Sequence, residues 1–338
     1  MNKLTKIGVS ALCGSLAGIS AAHAGDLSVT GGADMTWMSK SDTNVGNPIG
    51  MGSNLTFKGS GELDNGWSVD LTVGHKNANA YSNTNVIIGV PGLGDIRIDQ
   101  GVSGTGIQRM DDLTPSVWEE ADGAGLAIGQ TKIQGVSAGA NIEFTPSSDI
   151  VPDGATVRFA WSPDADGSST TADKGVGGDS GVLASGFDLT VEASDALHGV
   201  TGLTVYGGIS RVDQHQSSSG IDDDAEEDVI GFKYASGSFT LGWQLNKDDT
   251  GNATTNTEYE MTAYGVTFQV NDDLSIGYNH VESEKSSTAN VTAEADSIQI
   301  AYTMGGASIR LAEVDASDIA YTAGNDKEAT ILSLGLAF

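Results

Sequence analysis

The chain has 338 residues, and its 45 acidic side chains outnumber its 16 basic ones, so the formal net charge is −29. This balance excludes a nucleic-acid-binding surface, because an acidic surface repels phosphate. The 46 glycines exclude a helical bundle, since glycine destabilises helix interiors. The single cysteine, Cys13, excludes a disulfide scaffold, and an apolar content of 38% excludes intrinsic disorder.

The amino terminus has the pattern of an export signal. Lys3 and Lys6 form a positive region, a charge-free apolar stretch follows, and residues 22–24 read Ala-His-Ala, which matches a cleavage site. A transmembrane anchor is the alternative, but the stretch is short, rich in glycine and serine, and ends in the cleavage motif. We therefore expect residues 1–24 to be a signal peptide and residues 25–338 to be the mature domain. Removal of the two lysines would lower the net charge from −29 to −31.

The mature chain alternates apolar with polar or small residues in segments of about ten residues. Leu332, Leu334 and Leu336 share one parity of the last segment, and Ser333 and Gly335 share the other. Short turns alternate with longer polar loops, which is typical of an up-and-down meander. A closed barrel with both termini on one side needs an even number of strands, and this condition is met if residues 101 to about 138 form one long loop. Sixteen strands are then predicted, over 27–40, 52–64, 67–78, 83–90, 95–100, 139–145, 155–162, 185–194, 202–213, 227–236, 238–247, 258–270, 274–284, 293–304, 307–316 and 328–338.

A barrel of this size is wide enough for a water-filled lumen. An apolar outward face and a polar inward face satisfy every backbone group inside a bilayer. A soluble barrel would instead need a packed apolar interior, which the modest apolar content does not supply. The predicted fold class is therefore all-β, as a 16-stranded antiparallel transmembrane β-barrel.

Three segments carry more specific patterns. Residues 334–338 read Leu-Gly-Leu-Ala-Phe, so that Phe338 ends an alternating strand. Residues 85–100 form two apolar runs joined by Pro-Gly-Leu-Gly, and they lead into the long loop at 101 to about 138. The return segment at 141–146 reads Asn-Ile-Glu-Phe-Thr-Pro. Together these segments resemble the assembly signal, the third loop and the flanking strands of the general diffusion porins of the Gram-negative outer membrane.

This resemblance implies a homotrimer of barrels in the outer membrane, each with its third loop folded into the lumen as a constriction. It implies passive diffusion of ions and small hydrophilic solutes, no enzymatic activity and no cofactor. The expected partners are outer-membrane lipid, lipopolysaccharide, further copies of the chain and the permeating solutes.

Selectivity in such a pore depends on the lumen width and on charges that face each other at its narrowest point. The resemblance implies that acids of the third loop face a basic wall, and Arg97, between Ile96 and Ile98, is the best basic candidate by parity. The alternative is that the acids are solvated loop charge. The acidic candidates are Asp111, Asp112, Glu119, Glu120 and Asp122. The basic candidates are Arg97, Lys58, Lys76, Arg158, Lys40 near the rim, and Arg109 of the loop itself.

The net charge of −31 expected for the mature domain predicts a weak preference for cations, although salt screens the outer loops. An acidic run at 221–228 is predicted to lie mainly in a long loop. Carboxylates of this kind can bind Ca²⁺, but the run lacks the ordered spacing of a calcium loop, which favours solvated charge over a metal site. The Ca²⁺ candidates would be Asp222, Asp223, Asp224, Glu226 and Glu227.

Three other functions are alternatives to a diffusion channel. An enzyme is disfavoured because His75, His198, His215 and His280 lie on separate segments without metal spacing or a nucleophile motif. A structural or adhesive surface protein fits the acidic, glycine-rich composition but not the regular alternation of short and long connections. A substrate-specific channel would need a row of lumen aromatics, and Trp118 alone on the loop is not one.

Overall fold

The structure is a computed structural model of the chain. It describes residues 25–41, 46–77, 82–102, 104–118, 133–166, 182–215, 224–251, 257–288 and 291–337. The predicted signal peptide and several candidate residues lie outside these ranges, namely Glu119, Glu120, Asp122, Asp222, Asp223 and Phe338.

Sixteen antiparallel strands form one closed sheet in the described part of the chain, because β1 pairs with β16 as well as with β2. The predicted all-β barrel and its strand number are therefore confirmed. The strands are β1 Leu27–Lys40, β2 Ile49–Glu62, β3 Ser68–Lys76, β4 Asn83–Val90, β5 Gly94–Asp99, β6 Asn141–Pro146, β7 Ala155–Ser162, β8 Leu183–Ala193, β9 Leu203–Gln214, β10 Ala225–Ser236, β11 Phe239–Asp249, β12 Glu258–Gln269, β13 Leu274–Lys285, β14 Thr292–Met304, β15 Ala307–Ser317 and β16 Lys327–Ala337.

The helical elements are short. A four-residue α-helix lies at Asp195–His198, and 3-10 turns lie at Gly106–Met110, Gly135–Ala138, Ser286–Thr288 and Ile319–Tyr321. Within the described ranges, no helix has the length and apolar content needed to cross a membrane.

The strand boundaries lie within three residues of the prediction. The largest difference is at β2, which begins at Ile49 and not at residue 52, because Ile49 already pairs with Trp37 of β1. The faces also follow the predicted parity. On β16, Leu332, Leu334 and Leu336 are exposed on the outside, whereas Ser333 is buried on the inside.

The sequence predicts a polar inward face, but parts of the barrel interior are apolar. Ile107 and Met110 pack against Tyr206 and Val229, which point inward from β9 and β10. Similar apolar clusters form where Val136 meets β7 and β9, and where Ile319 meets β12 to β16. Apolar side chains therefore point inward where segments of connecting loop cover them.

The barrel wall is uneven in height. β5 and β6 have six residues each, and β4 and β7 have eight, whereas β1 and β2 have fourteen. We call the β4–β7 region the low wall. Six residues of strand extend about 20 Å, which is less than the hydrocarbon thickness of about 30 Å.

Candidate pore constriction

Residues 104–118 follow β5 and lie against the inward face of the barrel; we call them the docked segment. The backbone N–H of Leu113 donates to Oε1 of Gln244 at 3.2 Å, and that of Val117 donates to Oε1 of Gln299 at 2.7 Å. Both glutamine side chains are fully buried, with 0% exposure. Amides on β11 and β14 therefore satisfy the backbone of the docked segment inside the barrel.

Inward glycines provide the space for this contact. A Cβ atom at Gly265 of β12 would lie 2.1 Å from the carbonyl oxygen of Pro115, and one at Gly277 of β13 would lie 2.7 Å from Cγ2 of Val117. Any other residue at these positions would displace the docked segment from the wall.

The end of the docked segment meets a basic side chain of β15. The guanidinium carbon of Arg310 lies 4.9 Å from the ring centre of Trp118, a cation–π contact. Nη2 of Arg310 also donates to Oδ2 of Asp34 at 2.5 Å and to Oγ of Ser333 at 2.6 Å. The docked segment therefore follows the inward wall around the barrel as far as β15.

Arg97 lies on the inward face of β5, but its charge is largely compensated. Its side chain is 13% exposed, and Nη2 lies 2.9 Å from Oδ2 of Asp99. The other oxygen of Asp99 accepts the backbone N–H groups of Gly101 at 2.9 Å and Val102 at 3.2 Å. This pair therefore stabilises the chain where it leaves β5.

Arg109, which lies in the predicted long loop, belongs to the docked segment and forms an ion pair with the barrel wall. Its Nη2 donates to Oε1 of Glu143 on β6 at 2.6 Å. Glu143 is itself buried, so this ion pair holds the segment to the wall.

The remaining basic candidates lie on the inward parity of their strands. Lys58 is 3.7 Å from Asp70, and Arg158 is 2.5 Å from Glu192. Lys76 is exposed at the end of β3, and Lys40 is half-buried at the end of β1. The structure thus distributes these bases along the inward wall and does not gather them at one point.

Among the acidic candidates, Asp111 and Asp112 follow the 3-10 turn at Gly106–Met110. The backbone carbonyl of Asp111 accepts hydrogen bonds from Nε2 of Gln244 at 2.9 Å and from Nδ2 of Asn246 at 3.3 Å. Both acids therefore lie beside β11, across the barrel from β1 to β3.

The acidic run at 221–228 is not wholly loop, since β10 begins at Ala225. Glu226 and Glu227 consequently point to opposite faces of the sheet. Glu226 lies 3.3 Å from Arg211 on the outside, whereas Glu227 accepts backbone N–H groups inside. Asp224 is exposed just before the strand. Within the described ranges, no three acidic, histidine or cysteine side chains are grouped to hold a metal ion.

Sequence reasoning missed Arg310, Gln244, Gln299 and Asp188. Arg310 had a usable signal, because it stands between the outward Ile309 and Leu311 just as Arg97 stands between two isoleucines. Gln244 and Gln299 had no such signal in the sequence. A polar inward residue fits the alternating pattern equally well whether its side chain contacts water or a loop.

An opening remains on the side of the barrel opposite to β6–β13. A cavity of about 590 Å³ runs along β1, β2, β15 and β16. Its lining includes Asp34, Asn54, Lys76 and Arg310, together with inward glycines such as Gly52. We call this surface the open wall. Its charges include both signs.

A closed sheet with an apolar outside, a partly polar inside and an internal docked segment defines a transmembrane β-barrel channel. The family model for Gram-negative porins matches residues 8–337. The chain therefore belongs to the Gram-negative porin family, and it is an outer-membrane diffusion channel and not an enzyme.

Solved structures share this fold at low identity. A porin structure is similar with a TM-score of 0.67 and 15% identity, covering 93% of this chain and 100% of that one. An anion-selective porin from Comamonas acidovorans has a TM-score of 0.68 and 12% identity, and the match covers 93% of this chain and 100% of that one. Salmonella typhi OmpF in complex with daunomycin has a TM-score of 0.68 and 13% identity, and the match covers 93% of this chain and 98% of that one. No curated protein matches the chain.

Proposed function

We propose that the protein is a weakly cation-selective channel for ions and small hydrophilic solutes, narrowed by its third loop. The observation that carries this proposal is the position of the docked segment, which lies along one side of the lumen and leaves the open wall on the other. We propose that Asp111 and Asp112 add negative charge to the constriction, and that Glu119, Glu120 and Asp122, which lie outside the described residues, do the same.

The charge balance supports the preference for cations. On the open wall, Arg310 is bound to Asp34, and elsewhere on the inward face Lys58 lies 3.7 Å from Asp70. Such pairs contribute little net field, and Lys76 adds one positive charge to the open wall, so the proposed preference for cations rests on the excess of carboxylates in the chain as a whole. The anion-selective porin is similar in fold alone and does not determine the selectivity of this chain.

We propose that the chain forms a homotrimer through the low wall. The six-residue strands β5 and β6 are too short to span the hydrocarbon region alone. Outward apolar side chains there include Ile142, Phe144, Phe159 and Trp161, which line a shallow groove. A neighbouring subunit would shield this region from lipid headgroups and water.

We also propose that residues 1–24 are removed on export, that residues 25–338 form the barrel, and that Phe338 is part of the assembly signal. Lipopolysaccharide would surround the outer rim, where Glu226 and Asp228 face outward. Divalent cations such as Ca²⁺ would bridge its phosphates to acidic loops.

The test is conductance in a planar lipid bilayer with unheated, detergent-extracted protein in a KCl gradient. Conductance steps in groups of three, with a reversal potential favouring K⁺, are expected. A reversal potential favouring Cl⁻ would contradict the proposed selectivity, and single steps would contradict the trimer.

A further inference from the structure

We propose that the loop between β15 and β16, residues 318–326, is a second internal element that narrows the outer mouth of the channel, and that Tyr321 is the positioning residue that holds it there. We call these residues the mouth loop. The proposal rests on the diffusion function proposed above, and it is independent of the cation preference and of the trimer. The mouth loop lies at the end of the barrel opposite to the chain termini, and the structure describes all of its residues.

An apolar residue of the mouth loop is buried inside the barrel. Ile319 is 2% exposed, and it packs into a cluster with inward side chains of β12 to β16. That cluster includes Met261, Val281, Val314 and Ile331. Burial of these apolar surfaces against one another is favourable, whereas a lumen without the loop would leave them facing water. The inward face of β12 to β16 therefore binds the mouth loop.

Tyr321 reaches from the mouth loop to β13 and β12. Its hydroxyl group forms a hydrogen bond of 2.8 Å with Oγ of Ser283 on β13, and its ring centre lies 5.8 Å from that of Tyr259 on β12. β13 is two strands away from β15, and β12 is three. Since neighbouring strands are about 4.8 Å apart, the mouth loop leans across the inside of the wall and does not extend outwards from its own strands.

A lysine completes the group around Tyr321. Nζ of Lys285 on β13 lies 5.5 Å from the ring centre of Tyr259 and 5.8 Å from that of Tyr321. An ammonium group at this distance from an aromatic ring is attracted to it. Tyr259 and Lys285 have the inward parity of their strands, because Tyr264 and Ile276 are exposed on the outward face. Tyr321 therefore has polar, aromatic and cationic partners on the inner wall.

The backbone of the mouth loop has an uncommon conformation. Asp318, Ala320 and Tyr321 have φ angles of +51°, +55° and +56°, and they are three of the four non-glycine residues with positive φ in the described part of the chain. Side chains with a Cβ atom rarely adopt this region, and they persist in it where surrounding contacts hold them. Within the loop, Nδ2 of Asn325 donates to the carbonyl oxygen of Ile319 at 3.0 Å. The loop is thus held in one compact form by its own bonds and by the wall.

The mouth loop lies on the way from the outer mouth to the open wall. It joins the outer ends of β15 and β16, and the inner halves of the same strands, at Arg310 and Gly335, line the cavity of the open wall. Trp118 of the docked segment packs against the same apolar cluster as Ile319. Solutes from outside therefore pass the mouth loop first, and the width at this level limits which of them enter.

The experiment compares wild type with Tyr321→Asn in liposomes, through the swelling rates in a monosaccharide, arabinose, and a trisaccharide, raffinose. Asparagine tolerates positive φ, so this variant removes the ring and its hydroxyl group without imposing a new backbone conformation. The mobility of unheated protein in gels checks that the barrel is folded. We expect the ratio of the raffinose rate to the arabinose rate to rise about threefold, because the released loop no longer narrows the mouth.

Two further variants are the controls. Tyr321→Phe keeps the ring and should stay close to the wild-type ratio. Thr322→Ala changes an exposed neighbour whose hydroxyl group donates within the loop, to the carbonyl oxygen of Ala320 at 3.4 Å. It should also keep the wild-type ratio. The proposal is overturned if folded Tyr321→Asn keeps that ratio, or if Thr322→Ala raises it equally.

Thr322→Cys leaves Tyr321 in place, and it decides the matter if Tyr321→Asn fails to fold. Cys13 is the chain's only cysteine and lies in the predicted signal peptide, so the new thiol would be the only one in the mature chain. A bulky, uncharged thiol reagent should lower the current through Thr322→Cys channels and leave wild type unchanged, because the added group would lie in the mouth. An unchanged current after complete labelling would overturn the proposal.

Failure of the diffusion function would look different. Wild-type protein that is folded in liposomes but admits neither sugar would contradict the proposed diffusion of hydrophilic solutes, and this inference with it. Wild-type uptake of sugar with an unchanged ratio in Tyr321→Asn would contradict the mouth loop alone.

Discussion

At the scale of single residues, the inward bases differ in how much charge they present to the lumen. Arg97 is almost buried against Asp99, and Arg310 is bound to both Asp34 and Ser333. Lys76, in contrast, is exposed in the cavity of the open wall. The alternation along β5 predicted that Arg97 points inward. It carries no information about the ion pair that Arg97 forms with Asp99 of the same strand.

We therefore expect Lys76→Gln to change selectivity. Removing an exposed cation from the lumen should raise the permeability ratio of K⁺ to Cl⁻ about twofold, as screened charges contribute tenths of a kcal/mol at this range. The reversal potential in a KCl gradient measures this ratio. Lys247→Gln is the control, since Lys247 lies on the outward face of β11 beside Glu260; an equal shift in both variants would argue against a lumen role for Lys76.

At the scale of elements, the docked segment depends on glycines of the wall as much as on its own residues. We expect Gly265→Val to push Pro115 away from β12 and towards the open wall, because a Cβ atom there would lie 2.1 Å from the Pro115 oxygen. Single-channel conductance should fall, and the free energy of unfolding should decrease by about 1–3 kcal/mol, as for other overpacked sites.

Gly59→Ala serves as the control for that variant, since a Cβ atom at Gly59 would meet nothing within 4 Å. Its conductance should equal that of wild type. Wild-type conductance in Gly265→Val would mean that the docked segment does not narrow the channel.

The strands were predictable because period-two alternation is imposed on each of them by lipid on one side and a polar interior on the other. The contacts between the long loop and the barrel wall were not predictable from the sequence. Gln244 and Gln299 are ordinary polar inward residues by sequence, and Asp188 looks like solvated lumen charge. Only the path of the loop shows that they bind backbone, and that path depends on residues far apart in the chain.

At the scale of the whole molecule, the unequal wall heights divide the barrel into two sides. We expect Ile142→Ser on the low wall to destabilise the trimer, because it removes an apolar side chain that contributes about 2 kcal/mol per subunit when buried. Sedimentation of the detergent-solubilised protein measures the change. Ile300→Ser on β14 is the control, since its side chain is similarly exposed in one barrel, at 41% against 44%; loss of trimer in both variants, or in neither, would contradict an interface at the low wall.

The central claim is that solutes pass along the open wall while the docked segment covers the opposite one. Cys13 is the only cysteine and lies in the proposed signal peptide, so a single cysteine can be introduced into the mature chain. The most direct measurement is the current through Asn54→Cys and Ser297→Cys channels before and after a cationic thiol reagent is added. Asn54 lines the open wall, whereas Ser297 is fully buried on β14. We expect the reagent to reduce the current through Asn54→Cys channels and to leave Ser297→Cys channels unchanged; the reverse result would contradict this path for solutes.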